Sequence, residues 1–210
     1  EDGIRDYKVT GVQTCALPIC VLAALVERGT SGRGQVVDAA MVDGSAMLMS
    51  IFHVFDQFGA GLWGPRGTNL LDGGAHFYGV YACADGEHVS LAAFEPAFYA
   101  NFVEKIVPLG FEGLGAEDLR LDRQMDRDAW PALRARLAAM FRTRTRDEWV
   151  RFFEGREICF APVLSMAEAR RHPHAVARHA FVTVDGVEQP APAPRFSRTP
   201  GAIANPARPA

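Results

Sequence analysis

Two side chains, Tyr78 and Glu95, are the strongest candidates for chemistry in this sequence of 210 residues. Glu95 stands where a predicted strand meets a predicted helix, so we expect its carboxylate beside the helix N-terminus, whose dipole favours the ionised form. An ionised carboxylate there can orient and charge-balance a histidine that carries protons. A plain capping carboxylate is the structural alternative.

Tyr78 lies on the first strand of a predicted hairpin. Alternation along the strand places Phe77 and Tyr81 on one face and Tyr78 on the other. A phenol in that position can donate a hydrogen bond to a substrate carbonyl or to a catalytic side chain. A half-buried sheet tyrosine without a chemical role is the alternative.

A glycine-rich segment at residues 66–74 precedes the hairpin and has the sequence Arg-Gly-Thr-Asn-Leu-Leu-Asp-Gly-Gly. It lacks the spacing of phosphate-binding loops, although the backbone of Gly73 and Gly74 can approach a ligand closely. A structural turn fits the segment equally well. The histidines and cysteines have no metal-ligand spacing, and we expect Cys83 and Cys159 to be small buried hydrophobic residues. No metal site is predicted.

The elements that must hold these side chains are a hairpin and a following helix. The segments 77–82 and 88–94 flank Asp85-Gly86, a dipeptide suited to a tight turn. Pro96 then opens a helix that extends to about Val107. Further helices are predicted at about 21–28, 39–58, 128–141, 146–155 and 166–171, and further strands at 35–38, 158–164, 181–184 and 187–189. Gly59 is predicted to end the second helix, and an extended arm begins at Pro190.

The amino-acid composition limits the classes of protein to which this chain can belong. The chain is 49% hydrophobic and 22% charged, with a net charge of −3, which indicates a globular protein without a nucleic-acid surface. It has no apolar run long enough for a membrane span. Four scattered cysteines predict no disulfide framework, so we expect a cytoplasmic location.

The first twenty residues differ from the rest. Residues 9–19 read Val-Thr-Gly-Val-Gln-Thr-Cys-Ala-Leu-Pro-Ile and resemble the in-frame translation of a sequencing-library adapter. We therefore interpret residues 1–20 as a sequencing-adapter artefact, set them aside, and expect the chain to be part of a longer protein. A genuine N-terminal strand and loop is the alternative.

From residue 32 to about 201 the sequence resembles the α-methylacyl-CoA racemases of the family III CoA-transferase superfamily. The segments that carry the resemblance are GRGQVVDAAMVDG at 32–44, RGTNLLDGG at 66–74, FY at 77–78, ADG at 84–86, FEPAFY at 94–99 and the arm at 184–201. His76 departs from the proline expected before Phe-Tyr, which leaves open whether chain-length preference differs.

The resemblance implies an α+β fold in which a small α+β domain accompanies part of a Rossmann-like large domain. Residues 21–74 would belong to the large domain and its linker, 75–164 to the small domain, and 165–210 to a return segment and proline-rich arm. Two such chains would form an interlocked homodimer. No nucleic-acid or membrane partner is expected.

The implied reaction inverts the α-carbon of a 2-methylacyl-CoA thioester by removing and returning a proton. A histidine and an aspartate do this in the family, and both would lie upstream of the segment that matches this chain. The resemblance assigns Glu95 and Tyr78 as catalytic and Asn69 and Asp72 as substrate-binding. CoA would be part of the substrate, and no cofactor is implied.

Two other functions remain open at this stage. A family III CoA-transferase would move CoA between carboxylates, with an upstream aspartate as the nucleophile. A non-catalytic acyl-CoA-binding module would bind the ligand as a monomer. We disfavour the monomeric module because a chain with half a hydrophobic core and an unpaired arm should expose apolar surface.

Overall fold

The computed structural model describes residues 11–58 and 63–203 and divides at residue 69 into two compact units. The first unit ends at Asn69 and the second begins at Leu70. The predicted boundaries at residues 74 and 164 and the adapter hypothesis stay predictions.

The first unit is helical where it is described. Its helices are α1 (Gly11–Ser31), α2 (Met41–Leu48) and α3 (Ser50–Phe58). The predicted helix at 21–28 is confirmed as part of α1. The predicted helix at 39–58 is divided at Met49, whose ψ of 4° turns the backbone although no glycine or proline stands there.

The predicted strand at 35–38 is wrong. These residues have no regular structure, and Val36 is 94% exposed. A β-branched run forms a strand only when another strand pairs with it, and the described part of the first unit contains none. Gly59, predicted as a helix stop, lies outside the described residues.

The second unit is built on a three-stranded antiparallel sheet with the order β1-β2-β3. The strands are β1 (Tyr78–Ala82), β2 (His88–Ala92) and β3 (Phe160–Val163). The predicted hairpin is confirmed, and Gly86 takes the left-handed φ of 80° that its turn requires.

The helices of the second unit follow the predicted order. They are α4 (Pro96–Ile106), α5 (Trp130–Phe141), α6 (Arg146–Phe153), α7 (Met166–Arg171) and the unpredicted α8 (Pro173–Ala177). Thr145 and Glu148 form the predicted capping box at the start of α6. A separate hairpin of β4 (Phe181–Val184) and β5 (Val187–Pro190) precedes an arm without regular structure.

Every buried hydrophobic side chain among the described residues lies between Ala75 and Ile158. The core of the second unit is aromatic, and Trp149 at its centre packs against Phe141 and Phe153 at ring distances of 5.2 and 5.8 Å. In the first unit, by contrast, α2 buries no residue. The predicted exposure of apolar surface is therefore confirmed.

One charged residue, Arg146, joins four elements at the edge of this core. Its guanidinium contacts the carboxylates of Glu87 at 3.1 Å and Glu168 at 2.6 Å, and donates to the carbonyl of Val163 at 3.1 Å. Its side chain is only 11% exposed. The pairing with Arg146 lowers the pKa of Glu168 to about 2. Arg146 thus ties the hairpin and β3 to α6 and α7.

None of the described helices is long and apolar enough to cross a membrane.

Candidate functional site

The open end of the β1–β2 hairpin brings Tyr78 and Glu95 to one place in the fold. Tyr78 pairs with Ala92 in the strand register, and the amide of Ala93 donates to the carbonyl of Phe77 at 3.0 Å. Glu95 follows only three residues after Ala92. The hairpin register therefore sets the backbone positions of both candidates.

Tyr78 alternates with two fully core-facing neighbours and packs only partly against the core. Phe77 is fully buried and Tyr81 is 3% exposed, whereas Tyr78 is half-buried. The predicted alternation of faces is confirmed. Tyr78 therefore remains partly accessible, whereas Phe77 and Tyr81 do not.

Glu95 is the N-cap residue of α4, with Pro96 in the first turn of the helix. Its backbone is extended, with φ −68° and ψ 141°, and its side chain is exposed and makes no capping hydrogen bond. The plain capping alternative is therefore wrong. The carboxylate is therefore not held by the helix N-terminus and is exposed to solvent.

A buried polar pair lies behind this end of the hairpin. Nε2 of His76 is 2.8 Å from the hydroxyl of Tyr99 in α4, and both residues are fully buried. Nδ1 of His76 has no hydrogen-bond partner among the described residues. Burial lowers the pKa of His76 to about 4 and raises the pKa of Tyr99. His76 is therefore neutral near pH 7.

Tyr81 and Arg134 brace the start of the strand from the core side. The hydroxyl of Tyr81 donates to the carbonyl of His76, and the guanidinium of Arg134 lies 5.1 Å from the Tyr81 ring centre. Burial raises the pKa of Tyr81, and the charge of Arg134 opposes this shift. Gly79 has no side chain where the guanidinium passes, and a Cβ there would collide with it.

A buried amide holds the segment that leads into Glu95. Nε2 of Gln124 donates to the carbonyls of Ala93 at 3.1 Å and Phe94 at 2.9 Å. Gln124 is 3% exposed, and its backbone carbonyl accepts from the indole N–H of Trp130 at 2.9 Å. The connection between β2 and α4 is thus fixed from the direction of α5.

Asn69 lies in the first unit, and the structure uses its side chain locally. Its Oδ1 accepts from the amide of Gly64 at 2.6 Å, and its Nδ2 donates to the carbonyls of Gly64 and Pro65 at 3.2 and 3.1 Å. The residue is fully buried. These bonds shape the loop at 64–69, and a direct role in substrate binding stays a prediction.

Asp72 lies in the second unit, exposed in the turns before the hairpin. Gly73 follows it with a left-handed φ of 97°. The structure therefore places the backbones of Tyr78 and Glu95 at the same end of the hairpin, and Asp72 on the segment that leads to it. The catalytic and binding roles of these residues stay predictions.

Cys83 and Cys159 differ in their exposure to solvent. Cys83 is 4% exposed, and burial raises the pKa of its thiol to about 11. Cys159 is exposed, which corrects its expected burial, because a left-handed φ of 55° turns it away from the core before β3 begins. Desolvation and the charges of Glu95 and Glu157 raise the pKa of Cys159. In the described ranges, no group of three or more His, Cys, Asp or Glu side chains is placed to hold a metal.

Sequence reasoning missed three polar residues that hold this site: Gln124, Tyr99 and Arg134. Each acts across a distance of more than 20 residues, and no local pattern marks such a contact. The local sequence around Gln124 gives no such mark either, because Gln124 lies between Arg123 and Met125 in a charged segment.

Comparison with known proteins assigns the family. The sequence model of CoA-transferase family III matches residues 3–210, a range that begins within the segment set aside above. This chain belongs to CoA-transferase family III. The resemblance drawn from the motifs is confirmed at the level of the family.

Curated relatives include α-methylacyl-CoA racemases. The mouse protein of that name is 44% identical over 200 residues, and the human protein is 39% identical over 199 residues. Each alignment covers 94% of this chain and 49% of the relative. A Caenorhabditis elegans CaiB/BaiF CoA-transferase family protein is 28% identical over 177 residues, which cover 83% of the chain and 47% of the relative. The chain thus spans about half the length of these relatives.

Solved structures share the fold. Rv3272 of Mycobacterium tuberculosis matches with a TM-score of 0.70 at 18% identity, over 93% of this chain and 49% of that one. A CaiB/BaiF family protein of Brucella suis matches with a TM-score of 0.64 at 21% identity, over 95% and 53%. The mixed α+β fold of this family is therefore confirmed.

Proposed function

We propose that the protein containing this chain racemises 2-methylacyl-CoA thioesters by removing and returning the α-proton. The observation that carries the proposal is the state of Glu95, an exposed carboxylate at the N-cap of α4 that makes no capping bond. The identity of 39–44% to proteins named α-methylacyl-CoA racemase supports the reaction class.

The reaction requires little from this chain beyond positioning and charge. A base on one face of the α-carbon removes its proton, the thioester oxygen takes the negative charge as an enolate, and an acid on the other face returns a proton. No atoms are gained or lost overall. Glu95 would orient and charge-balance a histidine base outside this chain, and Tyr78 would donate a hydrogen bond to the substrate or to a catalytic group.

The test follows proton exchange in the longer protein that contains this chain. A single enantiomer of a 2-methylacyl-CoA is incubated in D₂O, and deuterium at the α-carbon is measured by proton NMR. We expect deuterium uptake together with loss of configuration. The proposal is abandoned if neither occurs while CoA is transferred to a free carboxylate.

CoA transfer is the second candidate because the matching family model carries that description. In such an enzyme a carboxylate attacks the donor thioester, which gives a mixed anhydride and the CoA thiolate, and the thiolate then attacks the enzyme carbonyl to give an enzyme–CoA thioester and the free donor acid. The acceptor carboxylate attacks this thioester to form a second anhydride, from which the CoA thiolate takes the acceptor acyl group and regenerates the enzyme carboxylate. Transfer of a label on the CoA moiety from the acyl-CoA to a second carboxylic acid would identify this activity. Racemisation needs no acceptor acid, so omission of the acceptor separates the two reactions.

We also propose that the protein acts as an interlocked homodimer with a cytoplasmic location. The apolar side chains that helices α1–α3 expose support association, since monomers seldom leave so much apolar surface uncovered. Val26 is 74% exposed and Met47 is 72% exposed. Sedimentation of the longer protein tests the stoichiometry.

A further inference from the structure

The carboxylate of Glu95 has no anchor of its own at the helix N-terminus, so its direction is inherited from the backbone that carries it. The strand β2 ends at Ala92, and the next residues must turn away from the sheet before α4 begins. Whatever fixes the backbone at 93–94 therefore fixes the origin of the Glu95 side chain.

The carbonyls of Ala93 and Phe94 lie at this turn. No backbone amide of the described residues donates to either carbonyl. The side-chain amide of Gln124 donates to both, at 3.1 and 2.9 Å. One amide group thus satisfies two consecutive acceptors and fixes the orientation of two consecutive peptide planes.

Gln124 is itself held rigidly. It is 3% exposed, and its backbone carbonyl accepts from the indole N–H of Trp130, which is also 3% exposed. Trp130 begins α5, and its ring packs 5.9 Å from the ring of Phe77 on the core face of the hairpin. The hydrogen bonds from Trp130 to Gln124 and from Gln124 to Phe94 therefore connect the packed aromatic rings of the core to the residue just before Glu95.

We propose that Gln124 is a positioning residue that sets the location of the Glu95 carboxylate. The inference rests on the proposed function, in which Glu95 supports the base that moves the α-proton. A backbone that buried donors already hold in place needs no reorganisation when the base gains charge. Gln124 touches neither the substrate nor the reacting atoms in this account.

The principal variant is Gln124→Met in the longer protein, which keeps the length of the side chain and removes both donors. Gln124→Glu is the second variant and sets a carboxylate against the two carbonyls. Because misplacement of a catalytic group by about 1 Å lowers the rate about a hundredfold, we expect kcat for α-deuterium exchange to fall roughly tenfold to a hundredfold, with KM changed less than about threefold.

The decisive comparison repeats Gln124→Met in a Glu95→Gln background, with incubation in D₂O extended to follow the slower reaction. If Gln124 acts through Glu95, it has less than about a twofold further effect there. Leu137→Ala is the control, since it removes a fully buried side chain of the same core and no hydrogen bond to Ala93 or Phe94. An equal loss in both backgrounds, or a loss matched by Leu137→Ala, assigns Gln124 a structural role only and overturns the inference.

Two further measurements keep the inference testable. If Gln124→Met fails to fold, Trp130→Phe removes the indole donor and keeps a ring, and should lower kcat in the same direction. If the wild-type protein shows no exchange, the proposed function fails, and the NMR amide shifts of Phe94 and Glu95 decide the inference alone. Larger shifts in Gln124→Met than in Leu137→Ala support it, and equal shifts overturn it.

Discussion

Nε2 of His76 lies 2.8 Å from the hydroxyl of Tyr99, and this contact joins the residue two before Tyr78 to the helix that begins after Glu95. The amide of Tyr99 donates to the carbonyl of Glu95 at 3.0 Å, so the same tyrosine also closes the first turn of α4. The start of the hairpin and the start of the helix are thus linked by one buried side-chain contact.

Removing the hydroxyl of Tyr99 should destabilise the second unit. In Tyr99→Phe, Nε2 of His76 loses its partner while buried, which costs about 1–2 kcal/mol of unfolding free energy. Urea unfolding followed by near-ultraviolet circular dichroism measures the change. Tyr78→Phe is the control because Tyr78 is only half-buried. Equal losses in the two variants would contradict the importance of the buried contact.

The stability of the second unit should depend on pH through His76. The folded pKa of about 4 lies below the ordinary value of 6.5, so between these values the unfolded chain binds a proton that the folded chain does not. Stability therefore falls as pH decreases from 6.5 to 4 and levels off below. The full difference is roughly 3 kcal/mol for this one group.

A His76→Phe variant isolates that contribution from other titrating groups. Phenylalanine keeps a ring in the core and cannot bind a proton, so its stability should fall less steeply over the same pH range. Unfolding free energies at pH 6.5, 5.5 and 4.5 give the two slopes. Parallel slopes in the two proteins would show that His76 is not buried in the neutral form.

Arg146 should matter more for stability than an exposed arginine with a similar partner. Arg146→Ala removes bonds to Glu87, Glu168 and the carbonyl of Val163, and should lower the unfolding free energy by roughly 2–3 kcal/mol. Arg156→Ala breaks an exposed pair with Glu104 at 3.4 Å and should cost less than about 1 kcal/mol. Thermal melts of both variants measure the two stability losses. A larger loss in Arg156→Ala than in Arg146→Ala would contradict the importance of the Arg146 network.

Local sequence signals predicted the part of the fold that frames the site. The Asp85-Gly86 turn, the alternation around Tyr78 and the proline after Glu95 each act over a few residues, and each was confirmed. The absence of a strand at 35–38 was not predictable in this way, because a strand depends on a partner elsewhere in the chain. Gln124 shows the same limit for the site, since its bonds span about 30 residues.

Two kinds of sequence signal identified Tyr78 and Glu95 as candidates. The hairpin and helix signals gave their positions, and the resemblance to the racemases gave their roles. The structure adds that the carboxylate of Glu95 does not cap its helix. That observation favours chemistry over capping, and sequence alone left the choice open.

The most direct test of the account compares α-deuterium exchange by Glu95→Gln with exchange by the wild-type longer protein. Glu112→Gln is the matched control, because Glu112 is another exposed carboxylate of the second unit. Loss of the negative charge beside the proposed histidine base should lower kcat for exchange about a hundredfold, while Glu112→Gln leaves it unchanged. Wild-type exchange in Glu95→Gln would contradict the central claim that this carboxylate serves proton transfer.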